Sequence, residues 1–343
     1  MAFFIPLAFK MAMLPSLLYK ECGADFYVAV GIITAIEFLQ LAVILKVVDL
    51  GGFDGVEEKF GKTAKRILAL PFLLSVFIKI IVFTAEIYYY TEQYLFYNIS
   101  SAPIIISLCM VFFYMALKGA KTIGRIYELS IWLVPIIILL GIFFGKAELC
   151  SDYLLPVFSD GVKGMFAGLD KYIIYTFDFS PLLFFKIEKG KKTSVVFSAI
   201  LCVIAVTASY MVFLASYGRA SFLIPDAFAR LASFNTVVSE IGSLDWPSAL
   251  LWLTVTIANV ALKFCCIGRL GSFFGIKKQV SLAATAIATG AILLFVLKTY
   301  KKTLELATNP VRYAVVAIEI VIPLIMLLLF SIKKQEASLE PQN

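Results

Sequence analysis

Apolar runs of roughly 20 residues recur along the chain, and short basic segments separate them. A run of that length matches the hydrocarbon thickness of a bilayer when it is helical. A helix also satisfies its own backbone polar groups where no water is available to do so. The chain of 343 residues is 61% hydrophobic and only 15% charged, with mean hydropathy +0.94. These values lie far from those of soluble domains, which average about 25% charged residues. The pattern predicts an all-α integral membrane protein with the bilayer as its main environment.

The periodicity predicts ten spans, at about 2–19, 25–47, 68–90, 102–117, 128–145, 165–186, 193–216, 246–264, 279–298 and 311–332. They form one transmembrane domain over 1–334, followed by a short tail over 335–343. Residues 2–19 have no basic n-region and no small-residue cleavage site. They read as a retained first helix and not a signal peptide. Eighteen of the 30 Lys and Arg residues, Lys263 among them, fall in one set of loops, and nine fall in the opposite set. The positive-inside bias then places both termini in the cytoplasm. Two outer loops are long. The second shows helical periodicity over 222–231 and 234–241, which predicts short helices over the outer mouth. Cys22 and Cys150 both come near that face, where a disulfide between them is chemically open. Adjacent Cys265 and Cys266 read as small core residues.

Two of the spans are interrupted. Span six contains Thr176, Asp178 and Ser180 just before Pro181, within "YTFDFSP". Span one carries Pro6 and Pro15 with Lys10 between them, within "FKMAMLP". Proline cannot donate the helical hydrogen bond, and an ionisable side chain in hydrocarbon is costly. Ten spans divide into two sets of five, so spans one and six hold corresponding positions. Broken helices at corresponding positions are a pointer to an inverted-repeat binding protein with its site at mid-membrane. Unwound backbone frees N–H and C=O groups, and a zwitterionic solute can satisfy both kinds. The candidate binding residues are Met11, Ala12, Met13 and Leu14 from span one, and Tyr175, Thr176, Phe177, Asp178, Phe179 and Ser180 from span six. Pro15 and Pro181 mark the helix breaks. Asp178 either accepts a solute ammonium or coupling proton, or caps the unwound backbone.

Lys10, Glu37, Glu86, Asp178 and Glu319 are candidates for proton coupling. An ammonium at Lys10 can stand in for a sodium ion beside the first break. Glu37 and Glu319 fall near mid-span, whereas Glu86 lies close to the outer interface, where it also reads as a boundary residue. Lys79 and Glu86 are seven apart on one helix face, too far for direct pairing, and Lys171 reads as snorkelling outward. Histidine is absent, which excludes imidazole relays and His-ligated metals. The chain has no nucleophile–base set, phosphate loop or metal-ligand cluster, so neither an enzyme nor a cofactor is expected. The net charge of +7 suits loops beside anionic lipid and not nucleic acid.

"KGAKTIGRIYEL" at 118–129 is similar to the "G-x-x-x-I-x-R-x-x-E" stretch that precedes span five in the spore germinant-receptor B-subunit family. "DYLLPVFSDGVKGMFAG" resembles that family's loop into span six, and "MLPSLLYKECGADFYVAV" resembles its opening. "SEIGSLDWPSALLWLTVTIANVALKF" resembles its entry to span eight, without the arginine. "YTFDFSPLLFF" is also similar to a segment of hydroxy- and aromatic-amino-acid permeases, which have an eleventh span. Both families belong to the amino acid–polyamine–organocation superfamily. The resemblance implies a LeuT-like fold of two inverted five-helix repeats with helices 1 and 6 broken. It also implies an amino acid or similar zwitterion as ligand, and a nutrient-sensing role in the spore inner membrane beside partner receptor subunits. Two other functions remain open: a proton-coupled amino-acid transporter in the cell membrane, and a non-transporting structural subunit of a receptor complex.

Overall fold

A computed structural model describes residues 1–11, 14–94, 100–144, 150–155, 157–158, 161–185, 192–223 and 245–339. Every regular element among them is helical. In chain order the α-helices are α1 (Phe4–Leu7), α2 (Leu14–Cys22), α3 (Phe26–Asp49), α4 (Gly52–Tyr94), α5 (Ser101–Lys118) and α6 (Ala120–Phe144). There follow α7 (Gly161–Lys171), α8 (Lys192–Tyr217), α9 (Asp245–Phe273), α10 (Lys278–Ala291), α11 (Tyr300–Thr308) and α12 (Val311–Leu339). Short 3₁₀ turns lie between several of them, at Ile173–Tyr175 and Ser180–Phe184 among others. Among the described residues, seven helical stretches are long and apolar enough to cross a membrane. The chain is therefore an all-α integral membrane protein.

The helices overrun the expected spans in ways the sequence explains. In α4, Gly61 has φ 85°, which only a residue without Cβ adopts readily, and the helix kinks there. The piece before the kink is tied to the piece after it by Lys65, whose ammonium lies 2.8 Å from both Asp54 and Glu57. The last turn of α10 widens into a π-helix over Ile292–Leu297. Residues 335–339, expected as tail, continue α12. Helix α9 ends at Phe273 and not near 264. Lys263, assigned above to a cytoplasmic loop, is therefore inside a membrane helix and buried. The apolar run ended at that lysine, but the helix did not, because its ammonium finds partners in the protein.

Helix α9 is the centre of the molecule. Its apolar stretch is 78% buried, the largest share of the seven candidate spans, and it packs against α4, α5, α6 and α10. Helix α3 packs against α8, α12 and α7, and α2 lies along α7. The α2–α7 approach is close enough that a Cβ on Gly168 would come within 2.2 Å of the Cys22 sulfur. Cys22 donates to the carbonyl of Met165 and Cys150 is also free, so the disulfide between them does not form. Cys265 and Cys266 are buried as core residues. The expected outer-mouth helices, apart from residues 222 and 223, lie outside the described residues.

Candidate functional site

The first helix stops at Leu7 and restarts at Leu14. Pro15 is the second residue of α2, a position whose N–H has no helical acceptor in any case, so the proline costs no bond there. Around this gap the carbonyls that lose helical partners are taken by side chains of other helices. Asn259 Nδ2 donates to the Ile5 carbonyl at 2.8 Å and Trp252 Nε1 to that of Ala8 at 3.0 Å. Tyr210 OH donates to the Lys10 carbonyl at 2.6 Å. Candidate residues Met11 and Leu14 are buried beside the gap, and Ala12 and Met13 lie outside the described residues.

The second break follows α7. One 3₁₀ turn ends at Tyr175, Thr176 is extended, and Phe177 is left-handed with φ 59°. A left-handed residue with a Cβ costs about 1–2 kcal/mol, so something must hold it. Helix α3 does. Glu37 Oε1 accepts the Phe177 N–H at 2.8 Å, and Gln40 Nε2 donates to the Phe177 carbonyl at 3.1 Å. Glu37 and Gln40 are three apart and share a helix face, so one side of α3 grips both ends of the Phe177 residue. Pro181 is the second residue of the following 3₁₀ turn, Ser180–Phe184.

The ionisable side chains converge on these two gaps. Lys10 in the first gap lies 2.6 Å from Glu37 Oε2 and 3.3 Å from Thr34 Oγ1. Lys79 on α4 reaches the second gap, 2.8 Å from the Thr176 carbonyl oxygen and 2.9 Å from Asp178 Oδ1. The same ammonium is 2.7 Å from Glu319 Oε2 on α12. Lys263 on α9 lies 3.3 Å from Asp178 Oδ1 and 2.9 Å from Asn259 Oδ1. All six ionisable groups are buried, and the cluster balances three ammoniums with three carboxylates. Such pairing is what makes buried charge tolerable at all, since each isolated ion would cost several kcal/mol to desolvate.

Aromatic rings connect the two gaps. Phe83 on α4 stacks on Phe9 of the first gap, with centroids 3.8 Å apart, and on Tyr175 of the second at 5.9 Å. Lys263 sits 4.9 Å from the centroid of the same Phe83 ring. Phe177, Phe179 and Ser180 are buried around Asp178. A cavity of about 50 Å³ adjoins the first gap, lined by Ala8, Met11, Ser209, Trp252 and Val255 among others.

The structure thus brings together Lys10, Glu37, Asp178 and Glu319 from the expected set. Glu86 is also fully buried, two turns along α4 from Lys79, and does not reach the surface of the bundle. Lys171 reaches Glu21 at the partly exposed end of α7, in keeping with a snorkelling side chain. Sequence reasoning missed Lys263, Asn259, Gln40, Thr34 and Tyr210. A signal was present for four of these. Thr34, Glu37 and Gln40 recur at intervals of three, and Trp252, Thr256, Asn259 and Lys263 at four, three and four. Each set makes one polar stripe on an otherwise apolar helix. Among the described residues, no group of His, Cys, Asp and Glu has the makings of a metal site.

Residues 28–305 match the family model described as spore germination protein. The chain belongs to the spore germination protein family. This is a family of membrane permease-like proteins and not of enzymes; the second interrupted segment lies within the matched region, and the first, over residues 4–22, precedes it. No curated protein matches the chain. For this member of the family, the helical bundle and the family together establish a permease-like membrane protein of spore germination.

Proposed function

We propose that this spore germination protein is a nutrient sensor subunit that binds an amino acid, or a similar small zwitterion, between the two helix gaps. The observation that carries this reading is the Glu37 carboxylate. One of its oxygens holds the cation of the first gap and the other holds the backbone of the second. A solute entering between the gaps therefore perturbs two interrupted segments through one side chain. That arrangement favours a site whose occupancy is felt by the whole bundle, as sensing requires. In this reading Met11 and Leu14 flank the site from span one and Tyr175 through Ser180 from span six, and Ala12 and Met13, outside the described residues, stay candidates on the sequence alone. The ten-span, LeuT-like topology of two inverted repeats, the cytoplasmic termini and the spore inner membrane location belong to the same proposal, with receptor subunits as partners.

A second reading, a proton-coupled amino-acid transporter, is favoured by the excess of ionisable groups at the gaps. Lys10, Glu37, Asp178 and Glu319 offer sites where a proton can exchange during transport. A structural subunit is the third. Two measurements separate them. Purified protein is screened for thermal stabilisation by amino acids, because a ligand that binds only the folded state raises its stability. Proteoliposomes are then tested for uptake of the labelled hit. Binding without accumulation supports the sensor, robust accumulation supports the transporter, and neither supports the structural role.

A further inference from the structure

Lys79 stands on α4, which contains neither gap, yet its ammonium is spent on the second one. Its three N–H groups meet three acceptors from other elements. These are the Thr176 carbonyl at 2.8 Å, Asp178 at 2.9 Å and Glu319 at 2.7 Å. One acceptor is a main-chain carbonyl left without a helical partner by the break, and two are carboxylates. This is the set that any primary ammonium would select, and a free amino compound presents the same three donors. We infer that the second gap carries a subsite for a primary ammonium, and that Lys79 is its resting occupant, displaced by the ammonium of the incoming solute. This rests on the reading that the gaps hold a zwitterion.

Three features make the exchange physically balanced. The lysine stem is flexible, so its ammonium withdraws without moving α4. Glu319 is on α12 and not on the gap, so Lys79 keeps that partner while it yields Thr176 and Asp178. Asp178 has a second cation, Lys263, at 3.3 Å from the same oxygen. A zwitterion adds one charge of each sign to a cluster that already balances. Its ammonium takes Asp178 and the Thr176 carbonyl, and its carboxylate takes the Lys263 ammonium that Asp178 gives up, while Lys79 stays with Glu319. A lone amine or a lone carboxylate leaves one buried charge over, which selects against both. The exchange also cuts the tie between α4 and the second gap, so ligand arrival becomes a change in how two helices are held.

The test uses the full chain, purified, with the twenty proteinogenic amino acids each assayed singly by thermal stabilisation. The variant is Lys79→Met with Glu319→Gln, which removes one cation and one anion together and keeps the cluster balanced. With the resident ammonium gone, the variant is expected to bind its amino acid about tenfold tighter or more, a difference near 1.4 kcal/mol. Equal or weaker affinity in the variant overturns the inference while leaving the proposed function standing. Failure of every amino acid on both proteins overturns the proposed function as well. If the double variant does not fold, Lys79→Ala is assayed with n-propylamine, which replaces the excised atoms. Restoration of its melting midpoint by n-propylamine, and not by tetramethylammonium, supports an ammonium subsite. No restoration overturns it.

Discussion

Glu37 gives each of its carboxylate oxygens a separate task, one to the Lys10 ammonium and one to the Phe177 amide. Removing its charge strands a buried ammonium. Glu37→Gln is therefore expected to destabilise the protein by about 3–5 kcal/mol, the usual consequence of breaking one side of a buried pair. Removing the cation as well, in Lys10→Met with Glu37→Gln, recovers most of that loss. Melting curves in detergent check both, and a double variant no more stable than the single one contradicts the pairing. Gln40→Leu leaves the carbonyls of Phe177 and Glu319 without their donor. It is expected to cost about 1–3 kcal/mol for each buried acceptor left unmet. The individual charges were legible in the sequence because an ionisable residue stands out in an apolar run. Their partners were not. Lys79 and Asp178 are 99 positions apart and Lys79 and Glu319 are 240 apart, and no local pattern encodes such a pairing.

At the scale of elements, the two interrupted segments are also joined outside the charge cluster, where α2 lies along α7. The contact is made by the absence of a side chain: Gly168 faces the Cys22 sulfur, the Glu21 Cβ and the chain at Cys22. Gly168→Ala is expected to destabilise the protein by about 1–3 kcal/mol through overpacking. Part of that loss returns when Cys22→Ala makes room, and the same melting assay reads both. If Gly168→Ala is neutral, the two half-helices are not packed as described. The breaks themselves were readable from Pro15 and Pro181, since proline cannot continue a helical ladder. The left-handed Phe177 was not readable, because its conformation is imposed by Glu37 and Gln40 on a distant helix. Lys263 was misplaced for a related reason. Charge ended the apolar run, and only the tertiary neighbours Asp178 and Asn259 explain why the helix goes on.

For the whole molecule, the basic residues favour one set of the loops that ten spans would leave, which predicts cytoplasmic termini. Moving Lys263 out of the loops leaves that bias intact, since it is one residue among eighteen on the favoured side. Reporter fusions at either end should show a cytoplasmic signature, and a periplasmic-type signal from one end alone contradicts an even number of spans. The apolar periodicity made the membrane class and the helices legible. It was silent on which helix lies at the centre, a property of packing that only α9 among its neighbours reveals. The proposed function stands or falls on whether the space between the gaps is a live binding site. The most direct measurement is the melting midpoint of the purified protein against each amino acid in turn. A ligand at a hundred times its Kd stabilises by about 2.7 kcal/mol. A saturable rise with at least one amino acid, lost in Asp178→Ala, is expected. A flat response to all twenty would contradict it.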